Sequence, residues 1–261
     1  MNPVLTEILK TKRVRRPDGS TIPLDYGVSE HEGAMLQRLI REVKPRVTLE
    51  IGFAYGISTL FICEALQEVG GERHIVIDPG PVDGWLDVGI SNVERAGYTS
   101  LLEFHNESSH HALPALERAG RRVGLAVIDG WHTFDYTFVD FFYVDRLLDV
   151  GGIVMFDDTE YYPAIRKVAR YVATHRNYLP LANESTRRPS RQRAMFNGLT
   201  AVLRAWPLSR LARHFIRPDV LHPDAELGLP ADNHIAFRKT GDDRLGDGSD
   251  GTRKWDQHVD F

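Results

Sequence analysis

Three aspartates stand where apolar runs stop. Gly124–Ile128 ends at Asp129, and Gly151–Phe156 ends at the pair Asp157-Asp158. Short apolar runs of this kind read as buried strands, so the three carboxylates lie at strand ends. Three hard oxygen donors suit Mg²⁺, with water and substrate oxygens completing an octahedron. Without a cation such a group of acids repels itself strongly. His132 follows Asp129 by three residues. An imidazole with an unperturbed pKa of about 6.5 can accept a proton near neutrality. Blander readings exist for each residue. Asp157 or Asp158 can cap the helix that follows. Asp129 can touch a cofactor only, and His132 can be a surface or cofactor-contacting residue. His110 and His111 receive no chemistry.

A second constellation lies earlier, in Thr48-Leu49-Glu50-Ile51-Gly52-Phe53-Ala54-Tyr55-Gly56-Ile57-Ser58. An apolar run ends in an acid, two glycines follow four apart, and the next residues can start a helix. Strand, tight turn and helix N-terminus in that order make a ligand site at the carboxyl end of a strand. The spacing is not that of the pyrophosphate fingerprint, and the acid precedes the glycines. A carboxylate there repels a pyrophosphate and accepts from a cation or hydroxyl, which favours a positively charged nucleoside derivative. Asp78, 28 residues after Glu50, ends the second strand and can accept both hydroxyls of a ribose. Ser109 is the candidate for contact with the base, and Ser108 is its rival. For Asp78 the alternative is a turn aspartate before proline.

These residues need a scaffold that brings strand ends together. Val47–Ile51, His74–Ile77, Leu101–His105, Gly124–Ile128 and Gly151–Phe156 read as strands. Helical patterns separate them at 58–69, 87–96, 112–118 and 133–148, and a further helix follows at 161–174. Alternation of this kind predicts an α/β fold, a mostly parallel sheet covered on both faces. Ser29 and Glu32 form a capping box for a preceding helix. Tyr178–Ala182 and His234–Arg238 supply a sixth and a seventh strand. Residues 1–28 read as an N-terminal extension, 29–240 as the main domain, and 241–261 as a disordered tail.

The chain has 261 residues, 42% hydrophobic and 26% charged, with a net charge of -4. That describes a globular protein and argues against wholesale nucleic-acid binding. No apolar run approaches the ~20 residues of a membrane span. The single cysteine, Cys63, cannot form an internal disulfide and fits a cytoplasmic setting. Residues 186–217 carry eight arginines and no acid, interleaved with apolar residues. Within the insertion 186–230 this segment can be a lid that reads an anionic substrate, a basic face for a membrane surface with a lipid-linked acceptor, or a solvated face.

Glu50-x-Gly52-x-Ala54-x-Gly56 resembles the first motif of class I S-adenosylmethionine-dependent methyltransferases. Ile128-Asp129-Gly130-Trp131-His132-x-x-x-Tyr136, followed by Gly151-Gly152-Ile153-Val154-Met155-Phe156-Asp157-Asp158, is similar to the metal-dependent O-methyltransferases of the catechol and macrolide-sugar types. The likeness covers roughly residues 29–175. It implies a Rossmann-like sheet of seven strands with the arginine-rich insertion before the last. It implies S-adenosyl-L-methionine held by Glu50, Gly52, Ala54, Gly56, Ser58, Asp78, Ser109 and Asp129, and Mg²⁺ held by Asp129, Asp157 and Asp158. The catechol enzymes carry a lysine base where this chain has His132, so the resemblance gives the role and not the residue type. The acceptor it implies is a hydroxyl of a small molecule or glycan. A nicotinamide-dependent oxidoreductase and a non-catalytic binding module on the same fold are the alternatives. The oligomeric state stays open.

Overall fold

The computed structural model describes residues 1–80, 84–181, 195, 198–199, 202 and 224–242. The arginines of the insertion and the tail beyond 242 lie outside the described residues, so the lid, membrane and disorder expectations are not reached by it. The chain divides into two compact units, 1–155 and 156–261.

In the first unit, Asn2 starts helix α1 (Pro3–Thr11) by accepting from Val4 N at 2.9 Å. Strands β1 (Arg13–Arg15) and β2 (Thr21–Pro23) pair antiparallel. These elements occupy the stretch read as an extension, yet they carry part of the core. Val4, Leu5, Ile8, Leu9, Val14 and Val28 are buried in one cluster with Phe53, Ile57, Leu60 and Phe61. Asn2 Nδ2 donates to Ala96 O, and Arg95 pairs with Glu7, so the segment is also tied at its surface. Helix α2 (Glu30–Val43) has the expected capping box: Ser29 N donates to Glu32, and Glu32 N donates to Ser29 Oγ.

Strands and helices then alternate through β3 (Val47–Ile51), α3 (Ile57–Glu68), β4 (Arg73–Ile77), α4 (Val88–Arg95), β5 (Leu102–His105), α5 (Ser109–Arg118), β6 (Val123–Ile128), α6 (Phe134–Leu147) and β7 (Leu148–Phe156). In the second unit come α7 (Pro163–His175), β8 (Tyr178–Pro180) and β9 (Ile235–Lys239), the last two antiparallel. The large sheet has seven strands in the order β5-β4-β3-β6-β7-β9-β8. Strand β3 pairs parallel with β4 on one side and β6 on the other, and β4 pairs parallel with β5. Both faces are helix-covered in such sheets, which is why these strands read as continuous apolar runs.

The chain steps outward from β3 to β5, then returns to β6 on the opposite side. That reversal makes the carboxyl ends of β3 and β6 the switch point, the place where open α/β sheets bind ligands. In the second unit, Phe156 and Phe237 meet edge to face at 6.0 Å, and Ile165, Val168 and Val172 bury one side of α7. Burial alone would raise the Asp224 carboxyl, but Arg166 and Arg170 hold it below the ordinary range. No helix among the described residues is long and apolar enough to cross a membrane.

Candidate active site

Three backbone bonds continue the parallel ladder past the strand ends. Gly52 N donates to Ile77 O at 2.9 Å, Asp129 N to Ile51 O at 2.9 Å, and Asp78 N to His105 O at 3.1 Å. Gly52, Asp78 and Asp129 are thereby held as neighbours at the switch point. Gly52 has φ +95°, and a Cβ there would lie 2.0 Å from Asp129 O. The position excludes a side chain because the loop after β6 passes directly over it.

The glycine turn is built around Asp78. Phe53 N donates to Asp78 Oδ2 at 2.8 Å and Ala54 N at 3.2 Å, while Gly80 N donates to Oδ1 at 2.8 Å. The carboxylate thus anchors the loop, and Oδ1, which accepts one bond, still has lone-pair capacity for a ribose hydroxyl. Ala54 sits at φ 47°, an uncommon conformation for a non-glycine residue that three-way anchoring sustains. Gly56, at φ +71°, precedes the first residue of α3, and Ser58 is buried in the first turn of that helix.

Glu50 is occupied differently from what a cofactor contact alone would suggest. It is fully buried, and its Oε2 accepts from Thr59 Oγ1 and lies 3.0 Å from His74 Nε2. His74 Nδ1 meets Thr48 Oγ1 at 2.9 Å, which closes a buried polar row across β3 and β4. Glu50 Oε1 is buried and has no hydrogen-bond partner among the described residues. The acid therefore pins β3, β4 and α3 together beneath the turn.

Ser109 opens α5 and is buried. Asp140 of α6 lies within its electrostatic reach, a residue the sequence reading passed over. Asp140 is 1% exposed, and burial pushes its carboxyl up to about 6 against the opposing effect of the Ser109 hydroxyl. Its Oδ2 lies 3.7 Å from where a Cβ on Gly130 would sit, so it underlies the loop that carries Asp129 and His132. His132 is partly buried in that loop, just before α6.

The second unit opens with Asp157 and Asp158 directly after β7. Tyr162 holds the N-cap position of α7, so neither aspartate is its N-cap residue. Asp158 N donates to Asp157 Oδ1 at 2.7 Å, and Asp158 has φ 56°. Asn233, two residues before β9, donates its Nδ2 to Asp157 Oδ1 at 3.2 Å and to Asp158 Oδ1 at 3.0 Å. The next residue, His234, is buried with its ring nitrogens 3.9 Å from Asp157 and 3.7 Å from Asp232. Neither Asn233 nor His234 was a sequence candidate for the site. Carboxylates with an amide beside them form the donor set that a hard divalent cation takes.

Residues 49–159 match the family model described as a methyltransferase domain. The caffeoyl-CoA O-methyltransferase of Stellaria longipes is 28% identical over 147 residues, which are 52% of this chain and 56% of the relative. That of Populus kitakamiensis is 28% identical over 166 residues, 60% of this chain and 63% of the relative. The chain thus spans less than two thirds of the length of these relatives. An O-methyltransferase from Bacillus cereus, solved in complex with SAH, shares the fold with a TM-score of 0.58 at 21% identity, covering 71% of this chain and 85% of that one.

Proposed function

From the match of residues 49–159 to a methyltransferase-domain family model, we propose that the chain is a class I S-adenosylmethionine-dependent O-methyltransferase. The observation that carries this is the Asp78-anchored glycine turn at the switch point, beside Asp129. In this reading the turn approaches the methionine part of the cofactor, Asp78 takes the ribose hydroxyls, and Ser109 faces the base. The acceptor oxygen attacks the sulfonium methyl carbon. The carbon–sulfur bond breaks with its electrons going to sulfur, so S-adenosylhomocysteine leaves neutral. The acceptor's proton passes to His132.

Asp129, Asp157 and Asp158 would hold Mg²⁺, which lowers the pKa of an acceptor hydroxyl. The oxygen-only donor set supports that choice over a softer metal. The acceptor is a hydroxyl of a small molecule or glycan. The arginines of 186–217 favour an anionic or lipid-linked one, with peripheral membrane contact. The lone cysteine, buried at position 63, fits a cytoplasmic location.

A screen of hydroxyl acceptors with methyl-labelled cofactor tests the assignment. Label should move to an acceptor oxygen, stop in EDTA and resume with Mg²⁺. With the acceptor in hand, His132→Ala should slow turnover by about 10²–10⁴-fold. Full activity in chelator would remove the cation from the reading, and an unslowed His132 variant would reassign that residue to positioning.

A further inference from the structure

Asn233 is tied to the acidic pair by more than proximity. Its Nδ2 reaches one oxygen of each aspartate, at 3.2 and 3.0 Å. Its backbone is fixed to the same segment: Thr159 N donates to Asn233 O at 2.8 Å, and Thr159 Oγ1 donates to Asp232 O at 2.8 Å. Asn233 N in turn donates to Asp232 Oδ1 at 2.8 Å. The amide is therefore held facing the two carboxylates.

The side chain is 6% exposed, and its Oδ1 is buried with no hydrogen-bond partner among the described residues. Leaving a buried acceptor of this kind unmade is costly, so folded proteins keep few without reason. An amide offers two donor hydrogens and an acceptor oxygen on the same planar group. Hard divalent cations take amide oxygens alongside carboxylates.

We propose that Asn233 is itself a ligand of the divalent cation assigned above to Asp157 and Asp158. Its nitrogen bridges the carboxylates when no cation lies between them, and its oxygen turns to the cation when one binds. The device keeps two acids together in the unloaded protein without the repulsion that bare carboxylates would suffer. His234, beyond hydrogen-bonding distance of Asp157 and Asp232, backs the pair and is not part of the ligand set. This inference rests on the cation in the proposed function and adds a third arm that comes from the entry to β9.

The test is direct titration of the metal-free full chain with Mn²⁺, followed by calorimetry and by water-proton relaxation, with no acceptor or cofactor present. Asn233→Leu should weaken Mn²⁺ binding by about ten-fold or more, in the range seen when metal-site partners are removed. Asn233→Asp keeps the size and an oxygen and adds charge. It should bind Mn²⁺ at least as tightly as wild type, and its thermal midpoint should fall without metal and recover with it. Wild-type affinity in Asn233→Leu would overturn the assignment and leave the cation in place. If Asn233→Leu does not fold, a ten-fold loss of affinity in Asn233→Asp overturns it instead. A wild-type chain that takes up no Mn²⁺ would overturn the cation reading itself, and this inference with it.

Discussion

Asp140 shows how burial and chemistry compete at a single residue. The carboxyl, ordinarily near 3.8, is pushed up to about 6 because burial penalises its charged form more than the nearby Ser109 hydroxyl favours it. A raised folded-state value means that the folded protein holds the proton more tightly than the unfolded chain. Stability from this group is therefore full below pH ~4 and lost as pH rises toward about 6. Asp140→Asn removes the titration while keeping an acceptor for Ser109. In urea unfolding, the variant should gain on wild type by about 2–3 kcal/mol between pH 4 and pH 7. A difference that stays flat across that range would contradict the burial account. Nothing local marks Asp140 in the sequence: an acid on an amphipathic helix ordinarily faces water. Asn233 was equally hidden, since its partner Asp158 lies 75 positions away and only the fold brings the two together. Asp129, Asp157 and Asp158 were legible because each closes an apolar run. Glu50 was legible as an acid at a strand end, but its bonds to His74 and Thr59 depend on β3 and β4 pairing in one register.

At the scale of elements, β3 to β7 and their helices were readable because buried parallel strands leave uninterrupted apolar runs with turns between them. The β1–β2 hairpin was not, because strands of three residues carry too few periods to stand out, and α1 was read as part of an extension because the residues it packs on lie far along the chain. Their burial comes from packing against α3, which no local pattern announces. The turn after β3 yields the clearest element-level expectation. Gly52→Ala places a methyl 2.0 Å from Asp129 O at a positive φ, whereas at Gly97, also at positive φ, a Cβ would meet nothing within 4 Å. Gly97→Ala should cost only the left-handed backbone penalty, about 1 kcal/mol. Gly52→Ala should cost about 2–4 kcal/mol in denaturant unfolding, since the loop after β6 must move as well. Equal losses at the two positions would show that the close approach at Gly52 is not maintained in solution.

For the molecule as a whole, function follows from where the sheet reverses. The strand order puts β4, β3 and β6 side by side, and their ends deliver Asp78, the glycine turn and Asp129 to one place. The acid before the glycines and the wide glycine spacing favour a cationic nucleoside over a dinucleotide, and the methyltransferase-domain match over residues 49–159 agrees. The measurement that bears most directly on this is calorimetric titration with S-adenosylhomocysteine, run in parallel with NAD, on wild type and on Asp78→Ala. Wild type should bind S-adenosylhomocysteine and not NAD. Asp78→Ala should weaken that binding by about ten-fold or more, because it removes the ribose acceptor and the anchor of Phe53 N and Ala54 N together. Binding of NAD in preference, or unchanged S-adenosylhomocysteine affinity in Asp78→Ala, would contradict the account.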